Sequence, residues 1–180
     1  VATSLGRSAA ATVVAGIPVT AWREVSSGAV GAITANGGLL ASDTTPTVTP
    51  VNGATDPTQI ITWASSNNDV LLAHVPVPAN ADLRLGSPAT FYCTIKSGGT
   101  TNAVGFTVSV FTDQGQELCN AATTTNQTTA YANKSVAIDL SGGDYSGTNF
   151  LTVMVTPAAH TTDTMVLKNA WIVFDRLATV

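Results

Sequence analysis

From Gln59 onward the hydrophobic positions fall at every second residue, in short runs. Across residues 103–112, Val104, Phe106, Val108 and Val110 alternate with Gly105, Thr107, Ser109 and Phe111. Across 90–97, Phe91, Cys93 and Ile95 alternate with Thr90, Tyr92 and Thr94. A period of two buries one face of a strand and leaves the other to solvent or to small hydroxylic side chains. The same signal predicts strands over 59–64, 70–75, 117–120, 135–140, 150–156 and 165–176. The link 97–102, Ser-Gly-Gly-Thr-Thr-Asn, has the freedom a reversal needs, so the two central runs are expected to pair as an antiparallel hairpin. Turn-rich clusters separate the other runs, and no segment shows a 3.6-residue period. About eight short strands at even spacing predict an all-β antiparallel sandwich or barrel.

The last run is apolar on both sides. Leu167, Trp171 and Val173 share a face with Asn169, while Val166, Ala170, Ile172 and Phe174 take the other. Such a strand is central in its sandwich or covered by a neighbouring subunit. Residues 1–55 have a different character. They are rich in small residues and breakers, including Asn36-Gly37-Gly38 and the Pro/Thr run 43–50, and read as an extended N-terminal arm with short strands. The expected division is therefore an arm over 1–55 and a sandwich domain over 56–180. Trp22, Leu39 and Leu40 are either anchors that pin the arm to a neighbouring surface or caps on the protein's own sheet.

Composition sharpens this picture in one respect. Of the 180 residues, 44% are hydrophobic and only 10% are charged, against roughly 25% in ordinary soluble domains. A surface so poor in charge suggests burial in an assembly. The net charge is −4 and the seven Lys and Arg are spread singly, with no basic stripe to neutralise phosphates, so no nucleic-acid partner is expected. No run of 18 apolar residues occurs, which leaves no segment to span a membrane as a helix. The two cysteines, Cys93 and Cys119, are expected as reduced thiols.

A catalytic set is hard to assemble from these residues. His74 and His160 have no nucleophile motif and no second ligand at metal spacing, so no catalytic residue, metal or cofactor is assigned. Asp113, Glu117, Asp139 and Asp144 lie in or beside turns, where carboxylates serve local backbone bonding rather than glycoside hydrolysis. Loop oxygens of Asp82, Asp139, Asp144 and Asp163 offer the one conceivable Ca²⁺ set. Asn126-Gln127-Thr128 and Asn133-Lys134-Ser135 match the glycosylation pattern, a common coincidence in Asn/Thr-rich loops. Among the rings, Trp63 and Tyr92 belong on strands, packed or cross-strand paired. Tyr131 and Tyr145, in loop surroundings, are the better candidates for sugar contact.

Several turn and packing motifs carry a family resemblance: Gly38-Leu39-Leu40-Ala41-Ser42-Asp43, Ile61-Thr62-Trp63-Ala64, Val75-Pro76-Val77-Pro78, Ser97-Gly98-Gly99-Thr100-Thr101 and Ala170-Trp171-Ile172-Val173-Phe174-Asp175-Arg176. Together they resemble tailed-bacteriophage jelly-roll virion proteins, the capsid decoration or cement proteins. That resemblance implies a non-enzymatic jelly roll on the outer surface of a phage head, assembled in the bacterial cytoplasm. It implies the major capsid protein and further copies of this chain as partners, a homotrimer being favoured, with Trp22, Leu39 and Leu40 as contacts. The alternative is a tail- or fibre-associated jelly-roll module that binds host surface glycan through Tyr131 and Tyr145.

Overall fold

The computed structural model describes residues 12–26, 29–30, 47–50 and 58–177. Among these described residues, twelve strands form two six-stranded antiparallel sheets. The first sheet holds β10 (Ala132–Ile138), β7 (Ala89–Ser97), β12 (Met165–Asp175), β5 (Gln59–Trp63) and β4 (Thr47–Pro50) in that order, and β1 (Thr12–Ile17) also pairs with β12. The second runs β3 (Ala29–Val30), β2 (Arg23–Ser26), β6 (Val70–Pro76), β11 (Phe150–Pro157), β8 (Phe106–Thr112) and β9 (Glu117–Ala122). From β5 on the chain changes sheet at nearly every connection, which is jelly-roll topology.

All eight runs expected beyond residue 58 are strands, with ends moved by at most three residues. Their inward side chains close the core between the layers. Phe91, Cys93 and Ile95 from β7 and Val108 and Val110 from β8 are each 0% exposed. Trp63 and Phe106 meet across the layers edge to face, centroids 5.3 Å apart, and the Trp63 indole N–H donates to the Asp69 carbonyl at 3.0 Å. The only helical element among the described residues is one 3-10 turn, Val19–Ala21. Both cysteines are free and buried, and burial pushes the Cys93 thiol up to about 12.

Three expectations change. The central hairpin is not one: β7 pairs with β10 and β12, while β8 pairs with β11 and β9. The 97–102 link instead carries the chain from one sheet to the other, over a corner tied to the 162–164 loop. The Gly98 N–H donates to the Thr164 carbonyl at 2.8 Å, and Asp163 Oδ2 accepts from the Thr101 and Asn102 N–H groups at 2.7 Å each. Second, a bulge between Leu167 and Asn169 resets the faces of β12. Leu167, Ala170, Ile172 and Phe174 point inward, and Asn169, Trp171 and Val173 share the outer side. The strand is central, with β7 along one edge and β1 and β5 sharing the other. Third, residues before 56 are not confined to an arm. β1 joins the first sheet and β2 the second, and the crossover between them buries Trp22 at 1% exposure. Trp22 therefore caps the protein's own core and has no surface left for a neighbour. Leu39 and Leu40 lie outside the described residues.

Candidate functional site

The outer face of the first sheet is ordered in rows, because residues in register on neighbouring strands stand side by side. One row runs Ser135, Tyr92, Trp171 and Gly16 across β10, β7, β12 and β1. The Tyr92 and Trp171 rings are stacked, 7° from parallel with centroids 5.4 Å apart. On one side of this row lie Ala137, Thr90, Val173 and Val14, an aliphatic strip whose Val14 is 58% exposed. On the other lie Asn133, Thr94 and Asn169, where the Thr94 hydroxyl donates to Asn133 Oδ1 at 2.8 Å. Beyond the amide row sits Tyr131, with Lys96 Nζ 4.8 Å and Lys168 Nζ 5.1 Å from its ring centroid.

Gly16 opens this surface. Tyr92 covers one side of Trp171, and on the opposite side β1 presents a residue without a side chain. A Cβ at Gly16 would meet no atom within 4 Å. A cleft of about 360 Å³ lies there, lined among others by Gly16, Pro18, Lys168 and Asn169. Indole and phenol rings beside amides, hydroxyls and an open cleft suit a ligand with apolar ring faces and many hydroxyl groups.

The outer face of the second sheet differs. His74 and Phe150 pack edge to face at 5.0 Å, and His74 Nδ1 lies 3.2 Å from the Thr152 hydroxyl. Phe111 stands opposite Thr152, and Met154 opposite Leu72. On this face His74 and Thr152 are committed to one another.

The structure separates the two tyrosines expected to touch sugar. Tyr131 lies past the amide row from the Tyr92–Trp171 row, near Lys96 and Lys168. Tyr145 packs against the core and over Gly142 at the sandwich rim, its N–H donating to the Leu83 carbonyl at 3.0 Å. Trp171 carries the platform yet escaped notice as a ligand contact, because the two-sided apolar pattern of its strand hid which face it would take.

The carboxylates are committed locally. Asp82 is held by Arg84; Asp139 accepts from the Ser141 N–H at 2.8 Å, Asp144 from the Ser146 N–H at 3.0 Å, and Asp113 from the Asn149 N–H at 2.9 Å. Hydrogen bonds from the Asn149 backbone and side chain, from the Ser141 side chain and backbone, and from the Ser146 backbone and side chain hold the carboxyls of Asp113, Asp139 and Asp144, respectively, below the usual range. Among the described residues no three of His, Cys, Asp or Glu converge on a metal position. His160 is 2% exposed, with its ring nitrogens 2.8 Å from the Ala158 carbonyl and 3.0 Å from that of Ala64, a tie between loops. Asn126 is enclosed, its amide donating to the Ile95 and Ala130 carbonyls at 3.0 Å each, so the first glycosylation match is not accessible.

No protein-family model matches the chain, and no curated protein does. Solved structures do. A xylan-binding module, CBM15, superposes with a TM-score of 0.57 at 12% identity over 93% of this chain and 100% of its own. The galactotriose-bound module TmCBM61 gives 0.54 at 11% identity over 88% and 91%, and the CBM22-1 xylan-binding domain from Paenibacillus barcinonensis gives 0.52 at 9% over 94% and 98%. At such identities the likeness is one of fold. These neighbours correct the expectation of a capsid-decorating protein with the major capsid protein as partner. That expectation rested on turn and packing motifs, and the three solved structures above that share this sandwich carry the names of sugar-binding modules instead. The homotrimer loses its basis with it. Among the described residues Val14 and Leu85 are the large hydrophobic side chains left exposed.

Proposed function

We propose that this chain is a non-catalytic glycan-binding module that holds a saccharide chain against the outer face of its first sheet. The observation that carries this reading is the Tyr92–Trp171 stack beside the open cleft at Gly16. Stacked rings offer their edges and the free indole face to the apolar side of a sugar, while Asn133, Thr94, Asn169 and Ser135 supply donors and acceptors for its hydroxyls. Same-face rows are separated by two residues, about 7 Å, so the aliphatic, aromatic and amide rows and Tyr131 together span about 20 Å. That length suits several linked units rather than a lone monosaccharide. The fold shared with xylan- and galactan-oligosaccharide-binding modules supports the same reading. The absence of catalysis is part of it: the aromatic and amide rows hold no carboxylate, and glycoside hydrolysis calls for a pair.

Affinity electrophoresis and calorimetry against soluble xylan, β-1,4-galactan, and neutral and acidic polysaccharides test this. The protein is expected to be retained by at least one polymer with no release of reducing ends. Trp171→Ala is expected to weaken that binding at least about tenfold, or ~1.4 kcal/mol, with the thermal midpoint nearly unchanged. Failure of the whole panel would overturn the proposal. Loss in Phe150→Ala but not in Trp171→Ala would move the grip to the second sheet.

A further inference from the structure

The edge of β12 that faces away from β7 is shared by two strands, and they do not meet. β1 pairs with it from Asp175 to Ala170, which stands opposite Ile17, and β5 pairs with Leu167, Val166 and Met165. Lys168 and Asn169, at the bulge, span the gap between them. The cause is local. Pro18 follows Ile17 and has no N–H to continue the ladder, so the chain leaves the sheet there and turns through Val19–Ala21 toward β2.

The cleft of about 360 Å³ lies at this gap, and its volume falls at the lower end of small-ligand sites, ~300–1,000 Å³. Gly16, Pro18 and Asn169, all exposed, form its mouth on the outer face of the first sheet, and the buried Ile17 and Ala170 form its floor. Lys168 also borders it, but its ammonium lies over the Tyr131 ring, 5.1 Å from the centroid. What remains is a mainly apolar hollow with one amide at its mouth, which suits a small neutral group. Position decides which part of a glycan reaches it. A saccharide chain on the Tyr92–Trp171 row and the amide row follows β7 and β12. The cleft lies on the far side of β12 from β7, one strand spacing (~4.8 Å) away, and Asn169 belongs to both. A main chain on the rows therefore passes beside the cleft, and only a substituent pointing sideways enters it.

Resting on the glycan-binding reading, we propose that the saccharide is branched, and that the gap between β1 and β5 is a subsite for one neutral branching sugar. The apolar face of that sugar lies over Ile17 and Ala170, and its hydroxyls meet the Asn169 amide at the mouth. Gly16 is then a specificity residue, because a side chain there would stand in the entrance.

The test compares polymers that share a backbone and differ in their branches: arabinoxylan against the same polymer debranched, galactomannan against linear mannan, and a branched β-1,4-galactan against its debranched form. The branched member of at least one pair is expected to bind about fivefold or more tighter. The ratio of the two affinities is the quantity to follow. Gly16→Val is expected to bring it to about one while the protein melts normally, because the strand backbone and the open space accept the side chain. Asn169→Ala reads the same ratio without a change at β1 and is expected to lower it. Trp171→Ala is expected to weaken both members and keep the ratio. Equal affinity for the two members of every pair, or tighter binding of the debranched one, with binding still lost in Trp171→Ala, would overturn the branch subsite and leave glycan binding standing. A preference that survives both Gly16→Val and Asn169→Ala would also overturn it, since the branch would be met elsewhere. Silence across the panel would overturn both readings.

Discussion

Asp82 shows how much one charged residue does in a chain that has few. It lies 7% exposed at the rim of the sandwich, where its N–H donates to the Asp175 carbonyl at 2.8 Å and ties the 81–82 corner to the end of β12. The Arg84 guanidinium grips it with two N–H groups, at 2.8 Å to Oδ1 and 2.6 Å to Oδ2, and the Arg84 backbone N–H adds a third bond at 3.0 Å. That grip outweighs burial and lowers the Asp82 carboxyl from 3.8 to about 2. A carboxyl whose folded pKa is depressed adds stability that is fully present above about pH 4 and is lost as pH falls toward 2. Arg84 is 56% exposed at its side chain, so solvent screening trims the contribution to about 1–2 kcal/mol. Asp82→Asn is expected to lower stability by that amount at pH 7, with the difference from the parent shrinking steadily between pH 4 and 2. Urea midpoints measured across that range check it; a constant difference would assign Asp82 a role independent of its charge.

At the scale of elements, the sequence told strands apart from turns well and told turns from crossovers badly. Alternation marks a strand whichever neighbour it takes, so β5 to β12 were legible from Phe91, Val108 or Val153 and their like. A glycine-rich link looks the same whether the chain folds back within a sheet or passes to the other layer. What decides the case lies far away in sequence: Asp163 and Thr164 occupy the ground above Gly98 and Gly99. A Cβ on Gly98 would collide with Thr164 Oγ1, and one on Gly99 with the Asp163 carboxylate. That carboxylate cannot easily retreat, since two backbone N–H groups hold Oδ2, while Asn102 Oδ1 accepts from the Thr162 and Asp163 N–H groups at 2.7 and 2.9 Å. Gly99→Ala is expected to cost about 2 kcal/mol, and Asp163→Ala about 1 kcal/mol, because water can reach the exposed Thr101 N–H and part of the Asn102 N–H that it releases. Gly16→Ala, where the space is open, should stay within about 0.5 kcal/mol. Thermal denaturation of the three variants checks the ranking, and a Gly99→Ala protein as stable as Gly16→Ala would mean that the corner yields. The β12 bulge was illegible for a related reason: one extra residue at Lys168 leaves the composition unchanged and exchanges faces.

On the scale of the molecule, the candidate site and the fold depend on the same N-terminal strands, which composition alone presented as an arm. Small residues such as Ala15 and Gly16 gave Thr12–Ile17 a weak strand signal, and a lone Trp22 among breakers looked like an anchor. Pairing supplies what composition lacked. Thr12–Ile17 lies in register with Asp175–Ala170 and closes the half of the β12 edge that β5 leaves open. Arg23, Glu24 and Val25 continue the second sheet beside Leu72, Leu71 and Val70. Ile17 and Trp22, at 5% and 1% exposure, fill core between the layers. Losing a buried tryptophan alone costs about 3–5 kcal/mol, against a total stability of about 5–15 kcal/mol for a domain. Removing residues 1–26 would also uncover six residues of the β12 edge and take away the Gly16 wall of the cleft. The truncated chain is therefore expected to lose its cooperative thermal transition and its near-ultraviolet circular dichroism, whereas Trp22→Ala should keep a transition at reduced midpoint. Were the truncated chain to melt cooperatively near the parent temperature, the two strands would be an accessory to a sandwich complete without them. Glycan binding would then still fall with Gly16, which separates what the N-terminal strands do for the fold from what they do for the site.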